Sequence, residues 1–116
     1  MRLTFVETVV FTGRIGKLGL ESVLRALQDT LLKDPEAGRL DPGTGGLRKV
    51  RIPDPTRGKG KRSGARVHYP WLPRRQRIYL MYVYGKDEAD TLSTAQKRAL
   101  YQVVQGIKAA VEETIE

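Results

Sequence analysis

The stretch ARVHYPWLPRRQRIYLMYVY, residues 65–84, holds two strand-length runs joined by a short turn. Ala65–Leu72 and Arg77–Tyr84 are rich in β-branched and aromatic side chains, which suit a pleated, half-buried surface. Only Pro73-Arg74-Arg75-Gln76 separates them, a length that closes a hairpin and leaves no room for a crossover helix. The two runs are expected to pair antiparallel. A third run, Leu47–Ile52, precedes them, and between it and Ala65 lies PDPTRGKGKRSG, too polar and glycine-rich for a regular element.

Outward from this centre, Leu40–Gly46 (LDPGTGG) reads as turn chemistry. Leu3–Val10 carries the β-branched content of a first strand. Leu20, Val23, Leu24, Leu27 and Leu31 recur at helical spacing, predicting an amphipathic helix over Leu18–Leu32 that Asp34-Pro35 stops. A shorter helical turn is expected near Phe11–Lys17. Ser93-Thr94-Ala95-Gln96 is a capping box, and Leu100, Val103, Val104, Ile107, Val111 and Ile115 supply the apolar stripe of a terminal helix. The order predicts one α+β domain over residues 1–116. Its twisted antiparallel sheet of about four strands would carry N-terminal and C-terminal helices against one face.

Charge then narrows the partners. The chain is 116 residues long with a formal net charge of +8, and eleven cations fall within residues 47–77 against one acid, Asp54. A stripe of that kind attracts polyanions. There is no cysteine and a single histidine, His68, which removes thiolate catalysis, disulfide stapling and histidine pairs for metal binding. No run approaches the length of a membrane span, so no membrane partner and a cytoplasmic location are expected.

Three ordered motifs, Gly43-Thr44-Gly45-Gly46-Leu47-Arg48-Lys49, Gly58–Val67 (GKGKRSGARV) and Tyr82–Glu88 (YVYGKDE), resemble the HigB-type branch of the RelE superfamily. The FVET of the opening strand and the Leu92-Ser93-x-x-Gln96 helix start are also similar. The likeness covers nearly the whole chain. It implies the toxin of a type II toxin–antitoxin pair, a small antiparallel sheet flanked by helices, and ribosome-dependent cleavage of mRNA in the A site. It further implies catalysis without a metal or other cofactor, in which a ribose 2′-OH attacks the adjacent phosphate and leaves a 2′,3′-cyclic phosphate. The positions that match the family's site are Lys49, Arg51, Arg66 and Lys86. Where some relatives carry a catalytic arginine and a tyrosine, this chain has Asp87 and Ser93. Expected partners are the ribosome with its mRNA and a cognate antitoxin of helix-turn-helix type, HigA-like, through which alone operator DNA would be met.

Elementary chemistry asks for the same kinds of group. In-line attack needs a base, an acid for the leaving oxygen, and donors for the developing phosphate charge. Lys49 and Arg51 share one strand face, and Arg66 and His68 share a face of the next strand, so coincidence of the two faces would gather all four. Arg66 suits a phosphate through its bidentate fork. His68 is either the acid–base residue that an unperturbed imidazole makes by nature or a packed core histidine. Arg48, Arg57, Lys59, Lys61 and Arg62 would grip RNA or the ribosome by charge. Two other readings stay open: a ParE-like inhibitor of gyrase on the same fold, and a degenerate member that only binds nucleic acid.

Overall fold

The structure is a computed structural model that describes residues 2–55, 64–86, 88–89 and 91–112. In chain order its elements are β1 (Thr4–Glu7), α1 (Val9–Lys17), a 3-10 turn (Glu21–Val23), α2 (Leu24–Lys33), β2 (Arg39–Leu40), β3 (Leu47–Ile52), β4 (Ala65–Leu72), β5 (Arg77–Leu80), β6 (Tyr82–Gly85) and α3 (Thr94–Ile107), whose last turn widens over Lys108–Glu112. The architecture is the expected α+β.

Three differences from the expectation along the chain have local reasons. The first strand ends at Glu7, because the Thr8 hydroxyl accepts from Phe11 N (3.2 Å) and starts α1. Val9 and Val10 therefore open a helix despite their β-branched side chains, and Phe11 and Ile15 enter the core. The long second helix is cut: Gly19, at φ 70°, turns the chain between α1 and the 3-10 turn. The third difference lies in the hairpin. Pro73–Gln76 closes it as expected, but the returning run is two strands, not one.

Trp71 pairs with Ile78, while His68 pairs with Tyr82. Three residues (Tyr79, Leu80, Met81) thus oppose two (Tyr69, Pro70), the signature of a β-bulge. Pro70 has no N–H to donate, and Met81 N instead donates to His68 O at 3.0 Å. The bulge reverses the alternation, so that Val83 joins the core while Tyr82 and Tyr84 face the other way.

The sheet runs β1-β5-β4-β3-β2, with β6 on β4 below β5. It is mixed rather than wholly antiparallel, because β1 returns beside β5 in parallel. Helices lie on both faces, not one. Phe11, Ile15, Leu20, Leu27 and Leu31 from the N-terminal helical region pack on Ile52, Ala65, Val67, Tyr69, Ile78, Leu80 and Val83. On the opposite face α3 brings Val104, with Leu100 and Ile107, against Leu47 and Met81. Val103 is 49% exposed and outside this stripe.

Tyr69 ties the core to the approach of β2. Its fully buried hydroxyl donates to Pro35 O (2.8 Å) and accepts from Gly38 N (3.0 Å). Burial pushes its ionisation upward, which keeps the phenol a donor. Tyr69→Phe strands the buried Gly38 amide and should cost about 1–3 kcal/mol, read as a lower urea midpoint at unchanged m value.

Candidate nucleic-acid interface

The face of the sheet that α3 covers only in part is built by strand register. Arg39 pairs with Lys49, Lys49 with His68, and His68 with Tyr82, giving one row across β2, β3, β4 and β6. Arg51 pairs with Arg66, and Arg66 with Tyr84, giving a second row. Paired residues point to the same side, so Lys49, Arg51, Arg66 and His68 do share one face. Neighbouring strands lie about 4.8 Å apart, which places the cations within side-chain reach of one another.

Lys86 continues this group. It is exposed at the end of β6, and its N–H and Arg66 Nη1 both donate to Gly64 O, at 3.3 and 3.0 Å. A Cβ at Gly64 would sit 1.8 Å from Ile52 O, so only glycine admits this close strand contact. Arg66 is 4% exposed, and its Nε has no hydrogen-bond partner among the described residues. Arg57, Lys59, Lys61 and Arg62 lie outside the described residues. Arg48 stands apart: strand alternation turns it to the other face, where Nη1 donates to Gly38 O (2.8 Å) and Nη2 pairs with Glu36 (3.6 Å).

His68 lies on this face but is fully buried there. Its Nε2 meets Asp41 Oδ2 at 2.9 Å, and its ring stacks on Tyr84 with centroids 5.7 Å apart. Asp41 in turn takes Lys97 Nζ on Oδ1 at 3.2 Å. Burial lowers the ionisation of His68; Asp41 works against that shift, and Lys49 and Lys97 reinforce it. Burial alone would raise the Asp41 carboxyl, but the hydrogen bonds and charges of His68 and Lys97 outweigh it and hold the group below its ordinary value. The neutral imidazole therefore donates from Nε2 to a carboxylate. That contact ties β4 to the turn that carries Asp41.

The sign of the pH dependence follows. A histidine whose folded value lies below its ordinary 6.5 contributes stability that is present above pH 6.5 and lost as pH falls through the folded value. Asp41, lowered from 3.8, adds a second loss further into acid. Urea midpoints should therefore fall between pH 7 and pH 5, with a slope of at most about 1.4 kcal/mol per pH unit for one proton. His68→Gln should flatten that stretch of the profile; an unchanged slope would assign it to other groups.

The turn that carries Asp41 is shaped by its glycines. Thr44 Oγ1 donates to Asp41 O (2.6 Å) and accepts from Leu47 N (3.2 Å), while Gly43, Gly45 and Gly46 all take positive φ. Lys97 Nζ donates to Pro42 O (3.2 Å) and Lys108 Nζ to Gly45 O (2.9 Å), pinning the turn to α3. At the other end of the site, Arg14 donates to Val83 O (2.6 Å) and pairs with Glu88, and its guanidinium lies 4.9 Å from the centre of the Tyr82 ring. The Arg14 guanidinium, aided by Gly85 N, holds the Glu88 carboxyl below its usual range and fixes the segment that carries Lys86.

Reading the sequence alone missed Asp41, Arg14, Glu88 and Arg39. Arg39 lines an open cleft of about 620 Å³ together with Asp41, Pro42, Lys49 and Arg51. Among the described residues no carboxylate forms an ion pair with Arg39, Lys49 or Arg51. The arrangement can neutralise one or more phosphates and supply donors to a charge that develops on them. No helix among the described residues is long and apolar enough to cross a membrane. No protein-family model matches the chain.

Proposed function

We propose that this protein is an RNA-cleaving toxin, a ribosome-dependent mRNA endonuclease that works in the cytoplasm and that a cognate antitoxin holds inactive. One observation carries the reading. Lys49, Arg51 and Arg66 stand on one face of adjacent strands, with Lys86 at the strand end beside Arg66, and no acid among the described residues neutralises Lys49 or Arg51. Like charges directly across a sheet are destabilising, so a fold that keeps two such pairs suits an anion between them. The motif resemblance supplies the ribosome, the antitoxin and the metal-free chemistry.

In this reading the ribose 2′-OH attacks the adjacent phosphorus and the 5′-oxygen leaves. The products are a 2′,3′-cyclic phosphate and a 5′-hydroxyl. Lys49 and Arg51 hold the scissile phosphate on the exposed side. Arg66, fixed from behind by Gly64 O, presents donors where charge builds on the non-bridging oxygens. Lys86 lies beside the leaving group. The antitoxin, a helix-turn-helix protein, covers this face with an acidic segment and carries the contact to operator DNA.

The test is primer extension on translating ribosomes with the purified chain. Ribosome-dependent cuts within codons are expected. Intact mRNA in cells that still stop growing would overturn the reading in favour of a gyrase-directed toxin.

A further inference from the structure

We propose that the cleft between β2 and the free end of β3 is a binding subsite for the RNA phosphate neighbouring the scissile one, with Arg39 as its principal side chain. This rests on the endonuclease reading for the meaning of "neighbouring", but not for the binding itself.

The cleft exists because two paired strands differ in length. β2 covers only Arg48 and Lys49 of β3, whose six residues run on to Ile52. Gly38 leaves the sheet plane at that point: its N–H goes to the Tyr69 hydroxyl, and a Cβ on it would lie 2.9 Å from Lys49 O and 3.1 Å from the Tyr69 ring. The chain therefore cannot continue alongside Val50–Ile52, and an open trough is left there.

Backbone direction decides what the trough offers. Leu47 N donates to Thr44 Oγ1 and Leu47 O accepts from Asp41 N, so the polar groups of Leu47 point away from β4. In an antiparallel sheet alternate residues point the same way, so those of Lys49 and Arg51 do too. Ile52 O, on the other parity, lies against Gly64 before β4, as this requires. Lys49 meets β2, but Arg51 has no described strand opposite it. Its backbone N–H is a donor aimed into the trough.

Around that donor stand Arg39, Lys49 and Arg51, while the only carboxylate in the lining among the described residues, Asp41, is engaged by His68 and Lys97. An amide N–H flanked by three cations is an anion site, and backbone amides with basic side chains are the common means of fixing a nucleic-acid backbone. Arg39 lies one strand beyond Lys49 in its row, two strand spacings or about 10 Å from β4, which carries Arg66 in the neighbouring row. An RNA strand crossing the rows thus reaches the trough with a second phosphate. Pro42, exposed in the lining, gives its base an apolar edge.

The test uses the full chain and a fluorescent single-stranded RNA hexamer with 2′-O-methyl riboses, which binds without being cut. Titrations run from 50 to 300 mM KCl. Arg39→Gln should weaken binding about fivefold at 0.1 M salt and lower the slope of log K against log salt by about 0.7, the value of one single-strand phosphate contact. Arg39→Lys should restore most of both. Arg25→Gln, an exposed cation on α2 across the sheet, removes the same charge and should change neither. If Arg39→Gln behaves like Arg25→Gln, the subsite is overturned. If it releases an oligoglutamate peptide yet keeps the RNA, the trough takes an acidic peptide instead, and the proposal fails. Arg39-dependent RNA binding without ribosomal cleavage would sink the endonuclease reading and leave the subsite standing. Cleavage with Arg39-independent binding would do the reverse.

Discussion

Lys49→Ala and Arg51→Ala should each lower ribosome-dependent cleavage by about 100-fold or more, while leaving the fold as stable as before or slightly more so. The activity loss is the size expected for one donor aimed at a developing phosphate charge, about 2.7–4 kcal/mol of barrier. The stability side comes from the register. Arg39 faces Lys49 and Arg51 faces Arg66, like charges in directly opposed positions, so removing half-buried Lys49 or exposed Arg51 relieves repulsion worth a few tenths of a kcal/mol. A residue kept for folding would show the opposite pattern, with activity falling in step with the urea midpoint. Arg66 is a poorer probe: it is buried, and truncation leaves Gly64 O short of a donor. There Arg66→Lys separates charge from fork, and a loss with the lysine as large as with alanine would assign bidentate geometry to the site. Single-turnover cleavage on programmed ribosomes, with midpoints measured on the same samples, decides between the patterns.

Much of this face was legible because strand alternation is local. Lys49 and Arg51 are two apart, as are Arg66 and His68, so each pair shares a side whatever the rest of the chain does. That the two sides coincide was a conditional reading, and the Lys49↔His68 register meets the condition. The capping box at Ser93 and Gln96 and the Thr44 turn were equally readable, since their partners lie three residues apart. What escaped depends on distant contacts. Asp41 and His68 are 27 residues apart, and Arg14 and Glu88 are 74 apart. Nothing in LDPGTGG marks its aspartate as a buried ion-pair partner rather than a turn former. Arg39 was invisible for another reason: a two-residue strand leaves no alternation to read. The bulge at Met81 hid inside RIYLMYVY, where every residue suits a strand, and only the pairing partners reveal the extra one. The same β-branched bias concealed the start of α1 at Val9.

Asp41→Ala should cost about 3–5 kcal/mol of stability, a large part of what a small domain possesses. The carboxylate is 6% exposed and joins three elements: it accepts from His68 on β4, pairs with Lys97 on α3, and sits at the root of the glycine turn that enters β3. Its removal leaves His68 Nε2–H buried without an acceptor, where Nδ1 already lacks a partner among the described residues. Among the described residues Lys97 then keeps only Pro42 O. Asp41→Asn retains shape and one acceptor and should cost less, about 1–2 kcal/mol. The measurement is urea unfolding of both variants at pH 7.5, where the native imidazole is neutral, together with the Asp41→Ala, His68→Ala double variant. Direct coupling predicts that the double variant is less destabilised than the sum of the singles, by about 1–3 kcal/mol. Additive losses would mean that Asp41 acts through the turn alone. In that case the consequence for the site also changes: a loosened turn shifts Arg39 and Lys49 together, so RNA binding by Asp41→Ala would fall even under conditions where the chain remains folded.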